Sequence, residues 1–144
     1  MVALEPTYKA SYPGIAAYLD KTVEEATENG YTTTLLGRRR LIPELASTNK
    51  MTQAFGRRIA MNAPIQGSSA DIMKLAMLRV SSRLGREIPD ARLVMQVHDE
   101  LIVEAPADKA EKAATILREE MEAAVSLSLP LLVEVAIGES WDAK

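Results

Sequence analysis

Cysteine is absent from the 144 residues, which excludes disulfides, thiolate zinc sites and thiol nucleophiles. Aromatic residues make up only 4% of the chain, so its core must be aliphatic, built from Leu, Ile, Val, Ala and Met. There is a single histidine, His98, and a hydrolase needing a second imidazole has none to use. No apolar run approaches the roughly 20 residues of a membrane span. Glu5 and Lys9 stand where a signal peptide needs an apolar stretch, and a cytoplasmic protein is expected. Net positive charge is also lacking. At −3 overall, the chain is not a globally basic nucleic-acid binder.

What is present is an ordinary globular balance, 47% hydrophobic and 26% charged, at a length suited to a single domain over 1–144. The charge is unevenly spread. Between Gly37 and Arg58 six bases (Arg38, Arg39, Arg40, Lys50, Arg57, Arg58) face one acid, Glu44, whereas ten acids oppose four bases from Glu100 onward. A local basic stretch on an acidic body suits a surface that grips phosphates on one side, or a solvated basic loop.

Tyr12-Pro13-Gly14 is a turn signal, and Ile15, Ala16, Tyr18, Leu19, Thr22, Val23 and Ala26 then recur at helical spacing up to Asn29-Gly30. Tyr31 to Leu35 is β-branched and aromatic, and Arg39 to Ile42 reads as a return strand stopped by Pro43. Ser47-Thr48-Asn49 offers N-caps for a helix through Met51, Phe55, Arg58, Ile59 and Met61. Arg58, Asn62 and Gln66 share one face if the backbone stays helical, but Pro64 is expected to kink or end the helix. Ser68-Ser69-Ala70-Asp71 resembles a capping box that starts a second helix, ending near Gly85. A further helix begins at Pro106-Ala107-Asp108 and is stopped by Pro130, and Leu131 to Ile137 reads as a final strand. This order points to an α+β fold, with an antiparallel sheet covered by helices on one side.

The stretch from Leu93 to Glu104 organises the rest. Two β-favouring runs flank His98-Asp99-Glu100 and put that triplet at the tip of a hairpin. A lone histidine beside two carboxylates at a strand junction is a candidate site, and equally a polar turn between core strands.

Three segments together resemble the C-terminal end of the bacterial DNA polymerase I family (family A). They are Gly37 to Leu45, similar to its Gly-Arg-Arg hairpin; Arg58 to Lys74, similar to its primer-template helix region; and Gln96 to Glu100, similar to its palm motif C. Gly138-Glu139-Ser140-Trp141-Asp142 is similar to the family's closing sequence. By that resemblance Asp99 is a ligand of the two catalytic Mg²⁺ ions, Glu100 the assisting carboxylate, and His98 the histidine near the primer terminus. It likewise implies that Arg58, Asn62 and Gln66 hold the primer-template minor groove and the new base pair, while Arg38, Arg39 and Arg40, as a basic hairpin tip, are expected to reach a nucleic-acid backbone.

The resemblance implies primer-template DNA and dNTP as partners, in a reaction where the primer 3′-hydroxyl attacks the nucleotide α-phosphate. Two departures stand out. Arg57 replaces the family's usual Glu, and no motif A strand of Asp-Tyr-Ser type occurs between Met1 and Lys144. The chain is therefore expected to be part of the palm with the base of the fingers, inactive alone, missing its N-terminal portion and prone to self-association. The rivals are a non-catalytic duplex DNA-binding module and a metal-dependent phosphohydrolase using His98, Asp99 and Glu100.

Overall fold

Pro13 suits a helix start because its fixed φ is already helical and its missing N–H is one that a first turn leaves unbonded. Gly30 suits the other end: at φ 78° it is left-handed, and its N–H closes on the Ala26 carbonyl at 2.9 Å. Between them runs α1 (Pro13–Asn29), the first element of a computed structural model that describes residues 11–141. There follow β1 (Tyr31–Thr33), β2 (Arg39–Leu41), α2 (Lys50–Glu87), β3 (Arg92–Val97), β4 (Glu100–Glu104) and α3 (Ala110–Glu122). Short 3₁₀ turns occupy Pro43–Ala46 and Ala107–Lys109. The class is α+β. Among the described residues the strands form two separate antiparallel pairs, β1–β2 and β3–β4, rather than one sheet. No helix among them is long and apolar enough to cross a membrane.

The chain divides into two compact units, Met1–Ser68 and Ser69–Lys144. In the first, Val23, Ala26, Ile42, Leu45 and Ala60 are buried together, with Ile59 and Met61 packed against them. The packed face of α2 is small: a Cβ on Gly56 would stand 2.9 Å from the Leu45 amide nitrogen, so the backbone of the 3₁₀ turn rests directly on the helix. Met51 and Phe55, on the predicted apolar spacing, are instead exposed. Asn49 caps this helix, accepting from the Met51 and Thr52 amides at 2.8 and 3.3 Å.

The second unit has a larger core of Met73, Ala76, Val80, Leu84, Ile88, Ala91, Leu101, Ala113, Ile116 and Ala124. Around it, Arg83 donates to Glu87 at 2.8 Å, to Glu119 at 2.6 Å and to Glu120 at 3.1 Å, while Lys112 lies 3.2 Å from Glu87. The Arg83 guanidinium, and after it Lys112, hold the Glu87 carboxyl below the usual range.

Three expectations are corrected. Pro64 neither ends nor divides the helix, because α2 is continuous over 38 residues. A proline lacks the N–H that would bond the carbonyl four residues back, here that of Ala60, and this one missing bond does not end the helix, which carries Pro64 as a buried residue. Ser68 is no N-cap: its hydroxyl donates back to the Pro64 carbonyl at 2.5 Å and accepts from the Leu35 amide, not from an amide of a new helix. Second, α3 ends at Glu122, well before Pro130, where Arg79 donates to the Ala123 carbonyl. A cation there satisfies a terminal carbonyl that the next turn would otherwise have taken. Third, Leu131 to Ile137 is not a strand. Its alternation survives, with Leu131, Val133 and Val135 half-buried and Leu132, Glu134 and Ala136 exposed. A strand needs a ladder partner, however, and the Val133 amide is taken by the Glu122 carboxylate at 3.0 Å.

Candidate nucleic-acid interface and carboxylate hairpin

In the first unit, residues four apart on α2 stack along one face. Arg58, Asn62 and Gln66 do so, and with Phe55, Ile59, Ala63 and Arg40 of β2 they line an open groove of about 240 Å³. The Arg58 guanidinium lies over the Phe55 ring, 5.7 Å from its centroid, which holds an otherwise flexible cation along the groove wall. The groove thus pairs two guanidinium forks, which fit phosphate oxygens, with two amides that both donate and accept.

The three consecutive arginines part ways. Arg40 reaches the groove. Arg39 stacks over Tyr31 at 4.7 Å, and Arg38 donates from Nη2 to the Gly67 carbonyl at 3.0 Å. A basic run that reads as one phosphate-facing patch is therefore spread over three environments.

In the second unit, Val97 pairs with Glu100, leaving His98 and Asp99 as a two-residue hairpin loop. Such loops demand positive φ and ordinarily take Gly, Asn or Asp there. His98 accepts φ 52°, the only non-glycine residue with positive φ among those described. Histidine is among the few non-glycine residues enriched in this left-handed region, so it can occupy the turn. The turn is braced by Gln96, whose Nε2 donates to the His98 carbonyl at 2.8 Å. Trp141 braces the next residue, its indole N–H donating to Glu100 Oε2 at 3.3 Å. His98, Asp99 and Glu100 are all exposed. A β-bulge at Val94, between the Leu93–Val103 and Met95–Ile102 pairs, adds local twist to the strand that carries them.

Two adjacent exposed carboxylates are hard oxygen donors, and Mg²⁺ takes one or two such groups together with water and substrate phosphates. The donor set therefore fits that ion. No group of three or more His, Cys, Asp or Glu is gathered as a metal site among the described residues. The sequence reading missed Gln96 and Trp141 as bracing residues. Both had a signal: Gln96 is the polar intruder in an apolar strand, and Trp141 is the chain's only tryptophan.

The sequence profile of DNA polymerase family A matches residues 3–143, and the chain belongs to that family. DNA polymerase I of Geobacillus stearothermophilus is 51% identical over 138 residues, a stretch that is 95% of this chain and 16% of that protein. The thermostable DNA polymerase I of Thermus thermophilus is 46% identical over 140 residues, 97% of this chain and 17% of that protein. Among solved structures, the POL domain of Pol1 from M. smegmatis, in complex with DNA primer-template and dNTP, matches with a TM-score of 0.91 and 43% identity. That match covers 94% of this chain and 24% of the solved one. The chain thus spans about one sixth of the length of the curated relatives it matches.

Proposed function

We propose that this chain is the portion of a DNA-directed DNA polymerase that carries motif C and part of the primer-template grip, its two units together contributing to the palm and the base of the fingers. The observation that carries the reading is the two-residue His98-Asp99 loop, which lifts Asp99 and Glu100 to the tip of a braced hairpin in a chain of family A. Primer-template DNA and dNTP are the proposed partners, supported by the ligands named for the M. smegmatis structure.

In this reading Asp99 and Glu100 supply carboxylate oxygens to divalent metal, proposed as Mg²⁺. When bound, the metal lowers the pKa of the primer 3′-hydroxyl and stabilises the pyrophosphate leaving group. Gln96 holds the turn carbonyl and Trp141 the Glu100 carboxylate, so that neither donor must be ordered at the moment of reaction. His98 lies near the primer terminus. Arg40 and Arg58 take backbone phosphates, while Asn62 and Gln66 contact sugar and base edges in the minor groove, where the acceptors are shared by all base pairs. The 3′-oxygen forms a bond to the α-phosphorus as the bond to pyrophosphate breaks, and the hydroxyl proton leaves to solvent or base.

Primer extension by the full-length protein tests this. Asp99→Asn should abolish extension while primer-template binding persists, and Arg58→Ala should weaken binding. Extension unchanged in Asp99→Asn would refute the catalytic assignment. One observation favours a binding-only module instead: the groove is built wholly within the first unit. Under that reading Asp99→Asn would leave every measurable activity intact.

A further inference from the structure

Three consecutive arginines are ordinarily read as three equivalent phosphate contacts. Their environments here are not equivalent. On β2, Arg39 and Arg40 face opposite sides, and Arg39 lies over Tyr31, while Arg38, just before the strand, contacts α2. Of the three, only Arg40 lines the groove. Arg38 is spent on α2 itself, with Nη2 donating to the Gly67 carbonyl at 3.0 Å. A helical carbonyl retains a lone pair after its own ladder bond, and a guanidinium can take it at no cost to the helix.

That bond is one of several at the same spot. The Leu35 amide donates to Ser68 Oγ at 2.8 Å, and the Ser68 hydroxyl in turn donates to the Pro64 carbonyl. The loop is closed internally as well: Thr34 N–H donates to the Arg38 carbonyl and Gly37 N–H to the Thr34 carbonyl, both at 2.9 Å, with Gly37 at φ 81°. Contact with α2 is close enough to need a glycine. A Cβ on Gly67 would stand 2.6 Å from Thr34 Cγ2, so the Thr34 side chain, whose hydroxyl accepts from the Arg38 amide, would have to shift. Gly67 and Ser68 directly follow Gln66, the last groove residue on α2.

We infer that Arg38 is a positioning residue: it ties the β1–β2 loop to the Gly67 carbonyl and thereby sets Arg40 in the groove opposite Arg58, Asn62 and Gln66. This rests on the proposed role of the groove in binding DNA. Arg38 does not itself contact the nucleic acid; it acts through Arg40.

The test uses the full-length protein in two arms. The first needs no DNA. Amide hydrogen exchange at Leu35 should accelerate about tenfold or more in Arg38→Ala, and likewise in Gly67→Ala, which crowds Thr34 beside the Arg38 guanidinium without removing a charge. The second is a double-mutant cycle read by anisotropy of labelled primer-template across several salt concentrations. Arg40→Ala and Arg38→Ala should each weaken binding by about tenfold, and the double variant should be no more than about twofold weaker than Arg40→Ala. The salt slope should fall by about one phosphate contact in all three. Multiplying effects in the double variant, with a slope lower by two contacts, would mean that Arg38 binds phosphate directly and would overturn the inference. So would unchanged Leu35 exchange. If Arg40→Ala and Arg58→Ala leave DNA binding intact, the groove reading fails on its own, and accelerated exchange would still establish the tie.

Discussion

The groove on the first unit and the hairpin on the second reach exposed polar groups by opposite routes. The groove is built on the longest element among the described residues, where spacing of four along α2 aligns Arg58, Asn62 and Gln66 without any positive φ. The hairpin site depends on one residue, His98, holding a left-handed conformation in a two-residue loop, with Gln96 bracing its carbonyl. Several donors of similar worth share the first task, so its loss should be graded. The second concentrates two carboxylates at one tip, where its loss should be nearly total. Grip tolerates redundancy; a site that orients reacting atoms does not.

The largest effect expected from this contrast is on the 144-residue chain by itself. With Asp99 and Glu100 present but no Asp-Tyr-Ser strand in its sequence, it should not extend a primer in Mg²⁺ and all four nucleotides. Extension that survives repurification and vanishes in Asp99→Asn would break the comparison, because the hairpin would then be sufficient. Gly56→Ala probes the platform of the groove: a methyl 2.9 Å from the Leu45 amide should cost about 1–3 kcal/mol by denaturant unfolding. Unaltered stability would show that the 3₁₀ turn does not rest on α2.

A smaller effect is expected from exposed apolar side chains of the second unit. Leu129 is 75% and Leu132 84% exposed, and Val94 and Met95 are exposed on a strand with an open edge. The isolated chain should self-associate, and light scattering across a concentration series should rise accordingly. A monomer at high micromolar protein would contradict this. Smallest is the pH effect of the Arg83 cluster. Because Arg83 depresses the Glu87 pKa in the folded state, the stabilisation is complete above the unfolded value of 4.5 and is lost as pH falls through the folded one. Below that window, Tm of the chain and of Glu87→Gln should converge; a constant gap between them at all pH values would rule the ion pair out as its source.

Much of both sites was legible in the sequence because both depend on local rules. The apolar runs around His98-Asp99-Glu100 specify a hairpin, and spacing of four aligns Arg58, Asn62 and Gln66. What escaped depends on long-range contacts. Pro64 was expected to kink or end the helix, but α2 runs through it, with Pro64 buried against the rest of its unit. Leu131 to Ile137 carries the alternation of a strand, yet alternation specifies only which side chains share a face and supplies no partner. The different environments of Arg38, Arg39 and Arg40 are set by Gly67, Tyr31 and the groove, none of which a local reading of three like charges can foresee.

The most direct test of the division between grip and chemistry is the single-turnover rate of nucleotide addition by the full-length protein, at saturating primer-template and dNTP, for Arg58→Ala beside Asp99→Asn. Saturation removes differences in binding, so the rate reports the chemical step. Asp99→Asn should lose on the order of a thousandfold or more, as expected when several kcal/mol of charge stabilisation are removed. Arg58→Ala should recover to within about tenfold of the unaltered protein, its deficit residing mainly in affinity. Equal losses in the two variants, or a greater loss in Arg58→Ala, would contradict the division.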